Sequence, residues 1–143
     1  MIILRTQSFK LSPLLLVICI CIAQLPVLTF AEKASDYIVS YAASTTANSS
    51  NLITVSFSVT GNGTMDKIGS TIIYLYETNG NSTSLVKTFT ESTHSNMTST
   101  NKTIYTSSVT YQGTAGRSYY ALVYVYAGKD GKGDTRLKTT SST

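Results

Sequence analysis

One histidine, seven carboxylates and a large supply of serines are the groups here with a capacity for acid–base or nucleophilic chemistry. His94 sits in the polar run Thr90–Thr103. A nucleophilic triad would need it beside an activated nucleophile and an orienting carboxylate. No serine occupies a G-x-S-x-G context, so His94 reads as a solvated loop residue. Asp66, Glu77, Glu91, Asp130 and Asp134 are the candidates for the paired carboxylates of a glycosidase. Each falls at a strand end or a turn, where acids solvate the chain, and no cleft-forming second domain accompanies them. Zinc needs three or four His, Cys or carboxylate ligands, which this composition does not assemble. The expectation is no enzyme, no metal site and no cofactor.

The turn Lys129–Asp134, KDGKGD, offers Asp130 and Asp134 as oxygen ligands for calcium. Calcium takes six to eight oxygens, and two carboxylates interrupted by two lysines are a poor start. The turn chemistry itself accounts for these residues: glycine for positive φ, charge for solubility. Five N-x-S/T sequons begin at Asn48, Asn62, Asn81, Asn96 and Asn101. They mark glycosylated surface loops if the source is eukaryotic, and a Ser/Thr-rich composition if it is bacterial.

The tyrosines carry the sharper possibility. In Gly116–Thr135, Tyr119, Ala121, Val123 and Val125 alternate with Tyr120, Leu122, Tyr124 and Tyr126, and a Gly/Asp turn follows. That is the pattern of a long strand and its hairpin. Thr71–Glu77 is apolar on both faces, and if Ile73 and Leu75 face the core, Tyr74 and Tyr76 face outward. Tyr74, Tyr76, Tyr120, Tyr124 and Tyr126 would then form one aromatic face able to stack sugar rings or dock a protein. The opposite register would bury Tyr74 and Tyr76, and cross-strand pairing alone would also account for the rings.

Other strands must position that face. Tyr37–Ala42 reads as an edge strand, and Leu52–Thr60 alternates Ile53, Val55, Phe57 and Val59 with hydroxyl residues until Gly61-Asn62-Gly63. Asn79-Gly80-Asn81 turns the chain into Ser84–Thr90. Ile104–Tyr111 precedes the tyrosine strand, and Asp134–Thr140 closes the set. Ser44–Ser50 and the tail Thr139–Thr143 read as loop or fray. No window holds a helical stripe. Seven strands with turns between them predict an all-β, antiparallel β-sandwich, with a small closed barrel as the alternative.

Gly116, Tyr119, the alternate residues Ala121, Val123, Val125 and Ala127, and then Gly131 and Gly133 resemble the end of a fibronectin type III domain. The resemblance implies an immunoglobulin-like sandwich in which Tyr119 is the corner tyrosine, its hydroxyl bonded to nearby backbone. It also implies that Lys132-Gly133-Asp134 lies at a hairpin tip, as related integrin-binding tripeptides do. The second-strand tryptophan of that family is absent, with Phe57 the nearest substitute, and so is the proline before the bend glycine. The chain beyond its first 31 residues also resembles small secreted single-domain proteins of gut Firmicutes.

Those first residues belong to a different object. Arg5 and Lys10, the apolar run Leu11–Leu28 and Thr29-Phe30-Ala31 have the anatomy of a secretory signal peptide cleaved after Ala31. Residues 32–143 are then one domain. An uncleaved signal segment is the one expected route to a membrane. Both cysteines, Cys19 and Cys21, lie in the signal, so the mature chain has none, which leans toward a bacterial exported protein. Cleavage lowers the formal net charge from +4 to +2, with the basic residues scattered, so nucleic acid is not an expected partner. No second hydrophobic segment follows, and the protein is expected to be secreted and free. The expected function is an extracellular binding or structural role toward a glycan or a protein. The alternative is a carbohydrate-active module, either lectin-like or a hydrolase remnant.

Overall fold

The computed structural model describes residues 34–142; the expected signal peptide, with Cys19 and Cys21, lies outside them. Eight strands run in chain order: β1 (Ile38–Ala47), β2 (Leu52–Met65), β3 (Lys67–Asn79), β4 (Ser82–Thr90), β5 (Thr98–Ser99), β6 (Lys102–Gln112), β7 (Ser118–Lys129) and β8 (Lys132–Ser141). They form two antiparallel sheets, β1-β2-β6 and β4-β3-β7-β8, with β5 pairing to the start of β3. The sheets pack together as a β-sandwich.

Alternation explains the packing. Ile53, Val55, Phe57 and Val59 of β2 meet Ile73, Leu75, Ala121, Val123 and Val125 in one core, each no more than 2% exposed. Burying each larger side chain contributes about 1.5–3 kcal/mol. Phe57 packs its ring 6.5 Å from that of Tyr105 on β6. The hairpin from β7 to β8 turns on Asp130 (φ 53°) and Gly131 (φ 73°), the paired positive φ values of a type I′ turn.

The seven expected strands are present, and the eighth, β5, corrects the reading of Thr90–Thr103 as a simple polar loop. Met97 is fully buried there, and Ile68 and Gly69 pair with Ser99 and Thr98. Gly69 admits this approach: it has φ 144°, and a Cβ would lie 2.2 Å from the Met97 carbonyl oxygen. A lone methionine among hydroxyls has no periodicity to betray it.

Three further boundaries differ. Gly61-Asn62-Gly63 does not end β2, which continues through a bulge until Met65 pairs with Lys102. Gly61 makes room for the buried Met65 side chain, whose Cγ would lie 2.6 Å from an added Cβ. Ser44–Ala47 is strand, paired with Ile53–Ser56, and Thr139–Ser141 completes β8. The chain end is latched: Ser142 N–H donates to the Tyr119 carbonyl at 2.7 Å, and Tyr119 N–H donates to Ser142 Oγ at 3.0 Å. Buried Thr45 of β1 shares a hydroxyl hydrogen bond with Thr140 of β8, joining one edge of each sheet. These segments carry few apolar residues, and hydrogen bonds order them where hydrophobic patterning is silent.

Candidate functional site: an aromatic sheet face

Ile73 and Leu75 are fully buried, which turns Tyr74 and Tyr76 to the outer face of the larger sheet. β7 alternates in the same sense, with Tyr120, Leu122, Tyr124 and Tyr126 outward. Register then brings the five rings into one patch. Leu85, Tyr76, Tyr120 and Ser141 form one row across the sheet; Thr88, Tyr74, Leu122 and Thr139 form the next; Thr90, Ile72, Tyr124 and Leu137 form the third. Tyr126, opposite Thr135 of β8, extends the face toward the β7–β8 turn. These rows contain no Asp, Glu, Lys, Arg or His.

The rings are half-buried because they cover one another. Tyr76 and Tyr120 stack at 4.9 Å with planes 5° apart, and Tyr74 meets Tyr124 edge-on at 6.0 Å. Each such pair contributes about 0.5–1.5 kcal/mol beyond area burial. The stack covers one face of each of its two rings, and all five tyrosines keep intermediate exposure. Leu85 and Leu137 flank the rings at 49% and 43% exposure. The expected Tyr set is thus brought together, while the two leucines are added by the structure. Leu137 was legible as the apolar residue alternating between Arg136 and Lys138, and Leu85 faces outward only because β4 bulges beside it.

Tyr126 has its own seat. A Cβ on Gly128 would lie 2.2 Å from the Tyr126 hydroxyl, and one on Gly133 would lie 2.4 Å from it. Two glycines on paired strands therefore clear space for one ring. Lys67 Nζ sits 5.5 Å from the ring centroid and is held by Glu91 at 2.6 Å. Gly133 has this packing role, and Lys132–Asp134 lies in β8 beyond the turn residues, which corrects its expected place at the hairpin tip. The Asp134 carboxylate accepts from the Ser35 hydroxyl at 2.6 Å and from Asp36 N–H at 3.0 Å. The Ser35 bond foremost holds its carboxyl below the usual aspartate range.

Other candidate acids are similarly occupied. Asp66 accepts Asp130 N–H at 2.7 Å. Glu77 accepts the Tyr119 hydroxyl proton at 2.6 Å and lies 3.7 Å from Arg117 Nε. Thr114 N–H donates to the same tyrosine oxygen at 2.7 Å, the backbone bond expected of a corner tyrosine. Burial, then the Glu77 bond, pushes the Tyr119 hydroxyl above the usual tyrosine range. His94 is half-buried rather than freely solvated, its ring edge-on to Phe89 at 5.1 Å and its Nδ1 hydrogen-bonded with Thr93 Oγ1 at 2.9 Å. Among the described residues no three His, Cys, Asp or Glu side chains converge as a metal site.

All five sequon asparagines are exposed, and each lies off the aromatic rows. Asn96 Nδ2 donates to the Ser108 carbonyl at 2.9 Å, fastening the loop to the free edge of β6. Comparison of the chain with protein-family models, curated proteins and solved structures returned no match.

Proposed function

We propose that this chain is an exported, non-catalytic sandwich of fibronectin type III-like kind that acts by binding outside the cell. Its contact surface is the face of Tyr74, Tyr76, Tyr120, Tyr124 and Tyr126. The observation that carries the binding reading is the uncharged aromatic patch, flanked by exposed leucines, that register assembles on the larger sheet. A sheet stabilised by aromatic pairing alone has no need of Leu85 and Leu137 at its margins.

The strand order β1-β2-β6 against β4-β3-β7-β8 supports the fibronectin-like topology, as does the Tyr119–Thr114 bond. Fold alone does not assign a role, and the site must carry it. The non-catalytic reading is supported by carboxylates committed to structural bonds: Asp66 to a turn, Glu77 to Tyr119, Glu91 to Lys67, Asp134 to Ser35. Export rests on Arg5, Lys10, the apolar run and Thr29-Phe30-Ala31.

The test is retention of the chain, secreted by an expression host, on a panel of glycans, mucin and cell-wall polymers. A Tyr120/Tyr124/Tyr126 triple alanine variant is run beside it, with its melting curve as a folding control. Retention abolished in a folded variant supports the face. Equal retention by both removes it.

A further inference from the structure

We infer that the ligand of this face is a neutral polysaccharide, an inference that rests on the binding reading above. Charge is the first ground. The three cross-strand rows, Tyr126 and Thr135 contain no ionisable carboxylate, lysine or arginine. An anionic polymer would call for Lys or Arg within them, and Lys67, whose Nζ lies 5.5 Å from the Tyr126 ring centroid, is already paired with Glu91.

Size is the second. Three rows across four strands plus the Tyr126–Thr135 pair, with strands about 4.8 Å and rows about 6.8 Å apart, give a footprint of roughly 400–500 Å². A stable protein interface takes about 800 Å² per partner, so the face is too small to hold a protein alone. A sugar chain lying across it needs no such area.

Chemistry is the third. Apolar groups and hydroxyls interleave: Tyr120 lies beside Ser141, Tyr74 beside Thr88, Leu122 beside Thr139, and Ile72 beside Thr90. A neutral sugar is built the same way, with C–H faces that lie on aromatic rings and hydroxyls around its rim. Among the described residues, no hydrogen bond engages the ring hydroxyls of Tyr74, Tyr76, Tyr120 and Tyr124, so they can bond to such a rim.

The test is retention of the full chain on immobilised xylan, β-glucan and mannan, with polygalacturonate and hyaluronan as anionic counterparts. Retention on at least one neutral polymer is expected, little changed between about 0.05 and 0.5 M salt because no charge pairs form. Leu137→Ala and Tyr124→Ala should each weaken it at least fivefold; Leu137→Ala should leave the melting curve in place, and Tyr124→Ala should lower it by several degrees while keeping one cooperative transition. Salt-sensitive retention on the anionic polymers alone overturns the inference. A mucin-coated surface separates this failure from failure of the binding reading. Binding destroyed by periodate, which cleaves sugar diols, and unchanged by sialidase, which removes the anionic sugars, supports a neutral glycan; binding lost on sialidase treatment overturns it. Binding destroyed only by protease and still dependent on Tyr124 overturns the polysaccharide and leaves the face as a protein contact. Binding that ignores Tyr124 and Leu137 overturns both.

Discussion

The Tyr119 hydroxyl donates to Glu77 Oε2 at 2.6 Å while accepting Thr114 N–H at 2.7 Å, so one side chain ties β3 to the bend before β7. The bend carries Gly116 at φ 75° and has little apolar content of its own to hold it. Tyr119→Phe removes both bonds and keeps the ring. It should cost about 1–3 kcal/mol in urea denaturation, since the Thr114 amide and the Glu77 carboxylate lose a partner together. A loss under a few tenths would mean that packing of the ring alone fixes the bend.

The same hydroxyl sets an alkaline limit. Its folded pKa is raised by burial first and by the Glu77 bond second. A raised value means the folded state holds the proton more tightly. The associated stability is present below the ordinary tyrosine value of about 10 and is lost as pH rises through the folded value. Melting temperature should fall above about pH 10 more steeply in the parent than in Tyr119→Phe. Parallel curves would contradict the assignment.

Asp134 sets the acid side. Its folded pKa is lowered, chiefly by the Ser35 hydroxyl. The stability it contributes is present above the ordinary aspartate value, about 3.9, and disappears as pH falls through the lower folded value. Asp134→Asn should flatten that part of the stability curve. Ser35→Ala should do the same, because it removes the main cause. An effect of one variant without the other would separate the pair.

Gly69 is the position least able to accept a side chain. An added Cβ would meet the Met97 carbonyl at 2.2 Å and the Thr98 Cα at 2.8 Å, both backbone atoms. Gly69→Ala should cost roughly 2–5 kcal/mol, combining φ strain with overpacking. Gly80 provides the control: φ is 58° but the space around it is open, so Gly80→Ala should cost only about 1–2 kcal/mol. Equal losses in denaturant unfolding would show that Met97 and β5 are not a fixed part of the sandwich.

Much of this was legible in the chain because β2 and β7 alternate strictly. Ile53, Val55, Phe57 and Val59, set against hydroxyl residues, have one face and no second solution for their register. In β7 the small and branched Ala121, Val123 and Val125 mark the inner side against Tyr120, Leu122, Tyr124 and Tyr126. β3 was ambiguous, since Ile72 through Tyr76 is apolar on both sides. Only pairing with β7 decides that its tyrosines face outward. What stayed hidden depends on atoms brought close by tertiary structure. Met97 needs Gly69, Tyr126 needs Gly128 and Gly133, and Thr45 needs Thr140. Gly133 reads as turn chemistry in sequence and proves to be a packing position beside a ring. Leu85 reaches the aromatic face through a register shift opposite Leu75 and Tyr76, which composition does not reveal.

The most direct measurement is the ring spectrum of the full chain carrying isotope-labelled tyrosine, titrated with soluble mucin oligosaccharides and with soluble xylan. All ten tyrosines report, and five of them, Tyr37, Tyr41, Tyr105, Tyr111 and Tyr119, lie away from the proposed surface and serve as internal controls. The account predicts that Tyr74, Tyr76, Tyr120, Tyr124 and Tyr126 shift together with one affinity while the other five stay in place. Shifts confined to the control tyrosines, or none with either ligand, would contradict it.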